Sequence, residues 1–553
     1  MKNLYKNKGI KMLLVGSMLT LSLTMPLQAL AEGKDDTISV PLRTISESIG
    51  AKVTWDAGKQ QVTVQRGGQS WIMTIGKNTS MVNGKQVMMS GVASMVDDRT
   101  FVPLNALEDA LKVQLDWNAT EGLTIDSNDV AALGSYYMKL LFEGKYSEAR
   151  AMMSEHLQSL IPEAMMPRIF NFSATPYGTF KDLTAVSHEK TKIRNNAYLT
   201  YLTSQSIPFQ FAVRFDDNNK VGDLYSSIAD PSTYIKPSYD HPEKYIEQEV
   251  VVGEGITAVP GTLTLPVGDG PFPSVILVHG SGPSDRDEAI GGYKPFRDLA
   301  VGLAAKGIAV LRYEKQTYEN SIKSAMNPKF TVKEESIDDA LKAIKLLQAD
   351  HRIDNNRIFI IGHSQGGMLI PKIIEQDSNQ TIAGAVVMAG PNKPLEDVLL
   401  DQNKASLERL KEAGQPEEVI AMAKQQADTW EQVVQLLHDP KYSTDHMPQG
   451  VAIPNAYWWF DFQGYNAGEL AKTQTVPLLI LQGDNDKQVT VDHLDKWKRD
   501  LSARKDVTYA LYPRLNHFFV PVDQPSTGEE YGIPGNIPSL VIDDISNWLL
   551  KQK

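Results

Sequence analysis

The sequence predicts a multidomain α/β protein. Its C-terminal part should be a mostly parallel sheet with a helical cap insertion, preceded by two small α+β domains. Three observations carry this expectation. From about residue 240, continuous apolar runs alternate with helical patterns. One of those runs leads through Gly362-His363-Ser364-Gln365-Gly366 into a helix-compatible stretch. Residues 32–127 repeat themselves. A chain of 553 residues also exceeds one compact domain, and its length suits three or four.

In chain order, residues 1–31 come first. Lys2, Lys6, Lys8 and Lys11 precede an apolar run over 12–23, Pro26 breaks it, and Ala29-Leu30-Ala31 offers small residues for cleavage. This is the pattern of a secretory signal peptide, and the run is shorter than a membrane span needs. A secreted or surface-retained protein is expected. The chain has no cysteine, which excludes thiol catalysis, disulfides and cysteine-ligated metals. A net charge of −12 gives no footprint for nucleic acid or anionic lipid.

In residues 32–127, Val40-Pro41-Leu42 recurs as Val102-Pro103-Leu104, and Trp55 recurs as Trp117. Ile45 with Ile49, and Leu107 with Leu111, have helical spacing. Between the copies the pattern alternates as strands do, and Asn83-Gly84 signals a hairpin turn. On VPLRTISESIGAKVTWD from residue 40 and RTFVPLNALEDALKVQLDW from residue 99, this segment resembles the copper amine oxidase-like N-terminal (stalk) domain of secreted Gram-positive proteins. The resemblance implies a structural or surface-binding module, with possible cell-wall association. It brings no copper site, since residues 32–127 contain neither histidine nor cysteine.

Residues 128–236 change character. Two amphipathic helices are expected over 130–141 and 146–160, with Gly144 between them, followed by strands over 181–186, 196–203, 208–214 and 220–225. This element order is similar to the small domains of the nuclear transport factor 2 type. His156 and His188 have no motif company and read as surface histidines. Pro231, Pro237 and Pro242 mark the linker into the last domain, 237–553.

In that domain apolar runs lie at 274–278, 308–313, 357–361, 385–388, 477–481 and 507–512. Thr331-Val332-Lys333-Glu334 opens a helix as a capping-box string. Continuous apolar strands between helices imply a parallel sheet covered on both faces. Functional groups then belong on the loops at the carboxyl ends of the strands. Gly-x-Ser-x-Gly on a strand-to-helix turn is a nucleophile elbow carrying Ser364, where a plain Gly-rich loop is the rival reading. Negative charge developing on an acyl oxygen needs backbone N–H groups already aimed at it. Gln365 and Ser281 are the candidates, with Gly282 as alternate. His279 precedes the serine and reads as a loop-holding residue, and Asp285-Arg286-Asp287 as an ion-paired clasp. After Leu481, Asp484 and Asp486 compete to orient the base. Of the histidines beyond the elbow, His438 and His446 fall in the insertion and His493 in a helix, where it is expected to face outward. Only His517 follows the final strand.

These residues carry a second resemblance. VILVHGSGPSDRD from residue 275, VLRYEKQ from 310, IIGHSQGG from 360, LILQGDNDKQV from 479 and LNHFF from 515 resemble the α/β-hydrolases. They lie close to the serine aminopeptidase and dienelactone hydrolase-like branch. The resemblance covers 247–553 and implies that Asp486 is the acid of a Ser364-Asp486-His517 triad, with no cofactor and no metal. Esterases, peptidases and acyltransferases share these motifs. Glu314-Lys315-Gln316 departs from the aspartate and arginine usual in relatives.

Residues 391–475 are the expected cap, with helices over 395–413 and 417–437 and an aromatic cluster from Tyr457 to Phe462. The cluster reads first as core, and some of its rings as candidates to wall a pocket. The expected activity is hydrolysis of carboxylic esters on a small-molecule substrate. Cleavage of a short peptide at its free amino terminus is the alternative, and would need a cap carboxylate such as Glu396, Asp397 or Asp461. A non-catalytic surface-binding protein is the reading from another class.

Overall fold

Val40-Pro41-Leu42 and Val102-Pro103-Leu104, the two copies of the repeat, pair with each other. Strand Ser39–Pro41 runs antiparallel to Arg99–Pro103, with Val40 opposite Val102. Each proline lacks the N–H that would extend the ladder, and each strand turns at once into a helix, Leu42–Ser48 or Leu104–Leu111. Ile45, Ile49, Leu107 and Leu111 are buried on the facing sides of those helices. Five strands between Lys52 and Met88 form an antiparallel meander. Asn83 and Gly84 both take positive φ, 49° and 77°, as a two-residue hairpin of this twist requires. Trp71 is wholly enclosed in this core.

This computed structural model describes residues 38–552 apart from 119–121, 173–176, 230–231 and 451–452, so the leader read at 1–31 lies outside the described residues. The chain divides into two compact units. The first runs to Gln158 and includes Pro162–His188 and Ala197–Phe209; the second comprises Ser159–Ile161, Glu189–Asn196 and Gln210–Lys553.

After the repeat, helix Val130–Phe142 is capped by Asp129, whose side chain accepts from the Ala132 N–H at 2.9 Å. The helix expected over 146–160 is broken into Tyr146–Ala151 and Glu155–Leu160. The strands of this region are Phe180–Lys190, Asn195–Thr203, Pro208–Phe215 and Val221–Ile228.

The rest of the second unit is built on eight strands. They are β1 (Tyr245–Val252), β2 (Val259–Pro266), β3 (Phe272–Val278), β4 (Ala309–Tyr313), β5 (Ile353–His363), β6 (Ile382–Met388), β7 (Leu478–Gly483) and β8 (Val507–Tyr512). Their order across the sheet is β1-β2-β4-β3-β5-β6-β7-β8. Only β2 runs against its neighbours, and every pair from β4 to β8 is parallel. Residues 358–363 of β5 are buried throughout, with Ile358 and Ile360 facing one apolar core and Phe359 and Ile361 the other. That two-sided burial explains the unbroken apolar run.

Thr331 and Glu334 form half of the expected capping box: the Glu334 carboxylate accepts from the Thr331 N–H and hydroxyl at 2.9 and 2.6 Å. A π-helical turn, Lys333–Ile337, precedes the regular helix Asp338–Gln348. The cap helices are Leu395–Glu412 and Glu417–His438. Among the described residues no helix is long and apolar enough to cross a membrane.

Candidate active site

Strand β5 ends at His363, helix Gln365–Gln376 begins two residues later, and Ser364 makes the whole turn between them. Its φ of 52° and ψ of −119° lie where a side chain is costly, on the order of 1–3 kcal/mol. The turn is held by the Ser364 N–H on the Met388 carbonyl at 2.9 Å and the Met368 N–H on the Ser364 carbonyl at 3.0 Å. The flanking glycines are required by space. A Cβ on Gly362 would come 2.3 Å from the Gly366 carbonyl oxygen, and one on Gly366 would come 2.2 Å from that of Val278.

The loops that carry Asp486 and His517 follow β7 and β8. Asp486 is buried, and its Oδ1 accepts from the Gln488 and Val489 N–H groups at 2.8 and 2.9 Å. Its Oδ2 accepts from Gln482 Nε2 at 3.0 Å and from His517 Nδ1 at 2.8 Å. Burial works to raise the Asp486 carboxyl, but the His517 ring and these donors outweigh it and hold the group below its ordinary value. Asp484, by contrast, is exposed and accepts from the Arg514 N–H at 2.6 Å, closing a turn in the base loop. The two loops touch directly: a Cβ on Gly483 would lie 2.2 Å from the Leu515 carbonyl oxygen.

The Ser364 turn meets the His517 loop through the residue just before Ser364. His363 Nε2 donates to the His517 carbonyl at 2.9 Å, and the two rings pack with centroids 4.7 Å apart. Nδ1 of His363 lies 3.0 Å from Glu288 Oε2, close enough to pair as ions though off the line of a straight hydrogen bond. Burial would lower the His363 imidazole, yet Glu288 outweighs it and raises it; burial would raise Glu288, yet the His363 charge holds it down. Both are nearly inaccessible.

The loop after β3 completes the site. A Cβ placed on Gly280 would sit 3.1 Å from Ser364 Cβ, so this loop runs directly beside the nucleophile. The Gly280 N–H donates to Glu288 Oε1 at 2.6 Å, and its carbonyl accepts from Lys315 Nζ at 2.7 Å. Ser281 follows and is exposed. Gln365 is the first residue of its helix, so its N–H has no acceptor within the helix and lies at the positive end of the helix dipole. His279 donates from Nε2 to the Asp285 carbonyl at 3.0 Å, and burial pushes its ring down to about 4, a loop-holding histidine that stays neutral. Asp285-Arg286-Asp287 is clasped as expected: Arg286 pairs with Glu314 at 2.6 Å, and Asp287 with Arg312 and Lys294.

One expectation is corrected. His493 does not face outward; it is buried, and its Nδ1 accepts from the Asn392 N–H at 3.0 Å. Sequence reasoning passed over Glu288 and Glu335, and noted Lys315 without giving it a role. Apart from Gly280, close in the chain to Glu288, their partners come from distant elements, and no local pattern marked them.

In the cap, Glu396 is fully buried, accepts from the Gly464 N–H at 2.7 Å and lies 3.6 Å from His438 Nε2. Asp397 lies 3.5 Å from the same nitrogen, and Asp461 is exposed. Phe460 and Phe462 are core, as the aromatic cluster predicts. Trp458 reaches further, donating from Nε1 to Glu335 at 2.7 Å. Among the described residues no group of three or more His, Asp or Glu could hold a metal ion.

Asp486→Asn should lower turnover by about 10³–10⁴-fold, because the amide no longer enforces the tautomer of His517. Asp484→Asn should cost less than tenfold, as steady-state kinetics on one ester will read; the reverse ranking would overturn the assignment of the acid. The Glu288–His363 pair makes a pH-dependent prediction. The lowered carboxyl stabilises the fold above the usual carboxylate range and loses this as pH falls through its lowered value. The raised imidazole stabilises below 6.5 and loses this as pH rises through its raised value. Glu288→Gln should therefore cost about 3 kcal/mol or more near pH 6. The penalty should shrink as pH rises, read from urea midpoints at several pH values; a pH-independent penalty contradicts the pairing.

The chain is similar to several known proteins. The family described as Serine aminopeptidase, S33, matches residues 271–521, and the Copper amine oxidase N-terminal domain matches residues 22–125. The esterase EstD of Thermotoga maritima is 32% identical over 418 residues, spanning 75% of this chain and 94% of the relative. Among solved structures, an esterase of Pyrococcus furiosus, Pf2001, is 16% identical over 58% of this chain and 97% of its own, with a TM-score of 0.35. Est1E of Butyrivibrio proteoclasticus is 15% identical over 55% and 98%, also with a TM-score of 0.35. The chain belongs to the α/β-hydrolase family, as a serine hydrolase of the esterase kind carrying a copper amine oxidase-like domain at its N-terminal side.

Proposed function

We propose that this esterase is an exported carboxylesterase working through Ser364, His517 and Asp486 by way of an acyl-enzyme. The observation that carries the reading is the buried 2.8 Å bond from His517 Nδ1 to Asp486. With its proton on Nδ1, the neutral ring keeps Nε2 as an acceptor. In the first step His517 takes the Ser364 hydroxyl proton as Oγ bonds to the acyl carbon, and the N–H groups of Gln365 and Ser281 receive the charge on its oxygen. The intermediate collapses, the ester C–O bond breaks, and the departing alcohol takes the proton from His517. Water then repeats the sequence on the acyl-enzyme and releases the acid.

Ester cleavage is favoured over amide cleavage at a free amino terminus. The cap carboxylates that could hold an ammonium are already partnered or open to solvent: Glu396 accepts from Gly464, Asp397 faces His438, and Asp461 is exposed. Acyl transfer to an acceptor other than water would use the same steps. Export rests on the basic and apolar segments of residues 2–31, and retention at the cell surface on the N-terminal domain.

A fluorophosphonate probe should label the wild-type protein and leave Ser364→Ala unlabelled; well-folded wild type that resists labelling would sink the acyl-enzyme mechanism. In a paired panel, p-nitrophenyl esters should turn over at least tenfold faster than aminoacyl-nitroanilides, and the opposite order would favour the peptidase reading. Expressed with its own N-terminus in a Gram-positive host, the exported protein should have a mass consistent with loss of residues 1–31. Full-length protein confined to the cytoplasm would contradict export.

A further inference from the structure

Lys315 is an unusual residue to find enclosed. It follows β4, is 1% exposed, and is one of the largest fully buried side chains of the described residues. Burying an ammonium is costly unless it is paired and hydrogen-bonded, so its partners indicate what the position is for. Nζ pairs with Glu335 Oε1 at 2.6 Å and donates to the Gly280 carbonyl at 2.7 Å. Glu335 in turn accepts from Trp458 Nε1 of the cap at 2.7 Å.

The Gly280 carbonyl is not an arbitrary acceptor. A peptide unit is planar and trans, so the C=O of Gly280 and the N–H of Ser281 lie in one plane and point in opposite directions. Whatever grips that carbonyl sets the direction of that N–H. The preceding peptide is gripped as well, through the Gly280 N–H on Glu288. The loop is therefore held from two sides by buried groups of opposite charge, beside Ser364. A cation on a peptide oxygen also polarises the unit and makes its N–H a stronger donor.

We propose that Lys315 is a positioning residue of the oxyanion hole: by clamping the Gly280 carbonyl it aims the Ser281 N–H at the acyl oxygen and strengthens it as a donor. This rests on the acyl-transfer reading above. Lys315 touches no substrate atom; it acts through one peptide plane. The contribution is needed when charge develops on the oxygen and matters little to binding the neutral ester, so it belongs to kcat and not to KM. Glu335 keeps the ammonium in place, and Trp458 ties that carboxylate to the cap.

The test is Lys315→Met in the full-length protein, which retains the apolar stem and removes the charge and donors. With a p-nitrophenyl ester, kcat should fall by about tenfold or more, short of the 10²–10³-fold cost of losing a whole donor, and KM should stay within about twofold. Affinity for a trifluoromethyl ketone, whose adduct with Ser364 carries an oxyanion, should fall by the same factor as kcat. A folded Lys315→Met protein with unchanged kcat and unchanged ketone affinity overturns the proposal, as does one that raises KM alone. If Lys315→Met does not fold, Glu335→Gln decides: lowered kcat with KM held supports the proposal, and unchanged kcat overturns it. Wild-type protein that neither turns over esters nor labels with fluorophosphonate would instead sink the acyl-transfer reading itself, which keeps the two failures apart.

Discussion

The site depends on one crowded turn. For Ser364 to stand at the carboxyl edge of the sheet, β5 must reverse into a helix within a single residue, which forces that residue to positive φ. The cost is met by backbone packed against backbone: Gly362 against Gly366, and Gly366 against the carbonyl oxygens of Val278 and His279. Those contacts bring β3 and β5 together where both end, so the loop leaving β3 has to pass beside the serine. The Ser364 turn and the loop after β3 are thus placed by the same close approach, and a single methyl group at either glycine would separate them.

Given that turn, charge does the rest. Asp486 receives four hydrogen bonds in a site sealed from water, two from backbone amides, one from Gln482 and one from His517. Donors fixed in this way keep the carboxylate ionised without reorganising when the imidazole gains a proton. A second buried carboxylate, Glu288, faces His363 on one oxygen and the Gly280 N–H on the other. It links the strand that carries the nucleophile to the loop beside it. Because His363 also donates to the His517 carbonyl, the base loop hangs from the same point. The three functional loops are joined by hydrogen bonds and ion pairs, and not by proximity alone.

What could be read from the sequence was what is encoded locally. The unbroken apolar strands, the elbow and both cap helices were legible because burial on two faces, tight turns and helical spacing each leave a short-range signature. The strands β1 and β2 were not read. In β1, Glu247, Gln248 and Glu249 interrupt the apolar pattern, as an edge strand with a solvated side allows. The break at Met152-Met153-Ser154 was hidden because both flanking segments keep helical periodicity. His493 shows a further limit: it shares a helix face with Trp497, four residues on, and its buried hydrogen-bond partner is Asn392, 101 residues away in the chain. Glu288 and Lys315 fail for the same reason, since their partners belong to other elements.

The segment that follows β4 is constrained from both ends. Glu314 takes Arg286, Lys315 takes Gly280 and Glu335, and Gln316 donates to Asp339 and to the Thr257 carbonyl, each at about hydrogen-bond distance and each buried. Immediately beyond, Glu319 accepts from Arg214 and lies against Arg194, while Asp223 accepts from the Ile322 and Lys323 N–H groups that open the next helix. Arg214 also stacks over Tyr318. A turn of chain that holds the Gly280 carbonyl at one end therefore engages Arg194 and Arg214 at the other. Removing one member of such a buried ionic group leaves its partners uncompensated, so substitutions here are constrained together and not one at a time. Every buried side chain from 314 to 320 already has a polar partner, so none can be exchanged without leaving another buried group uncompensated.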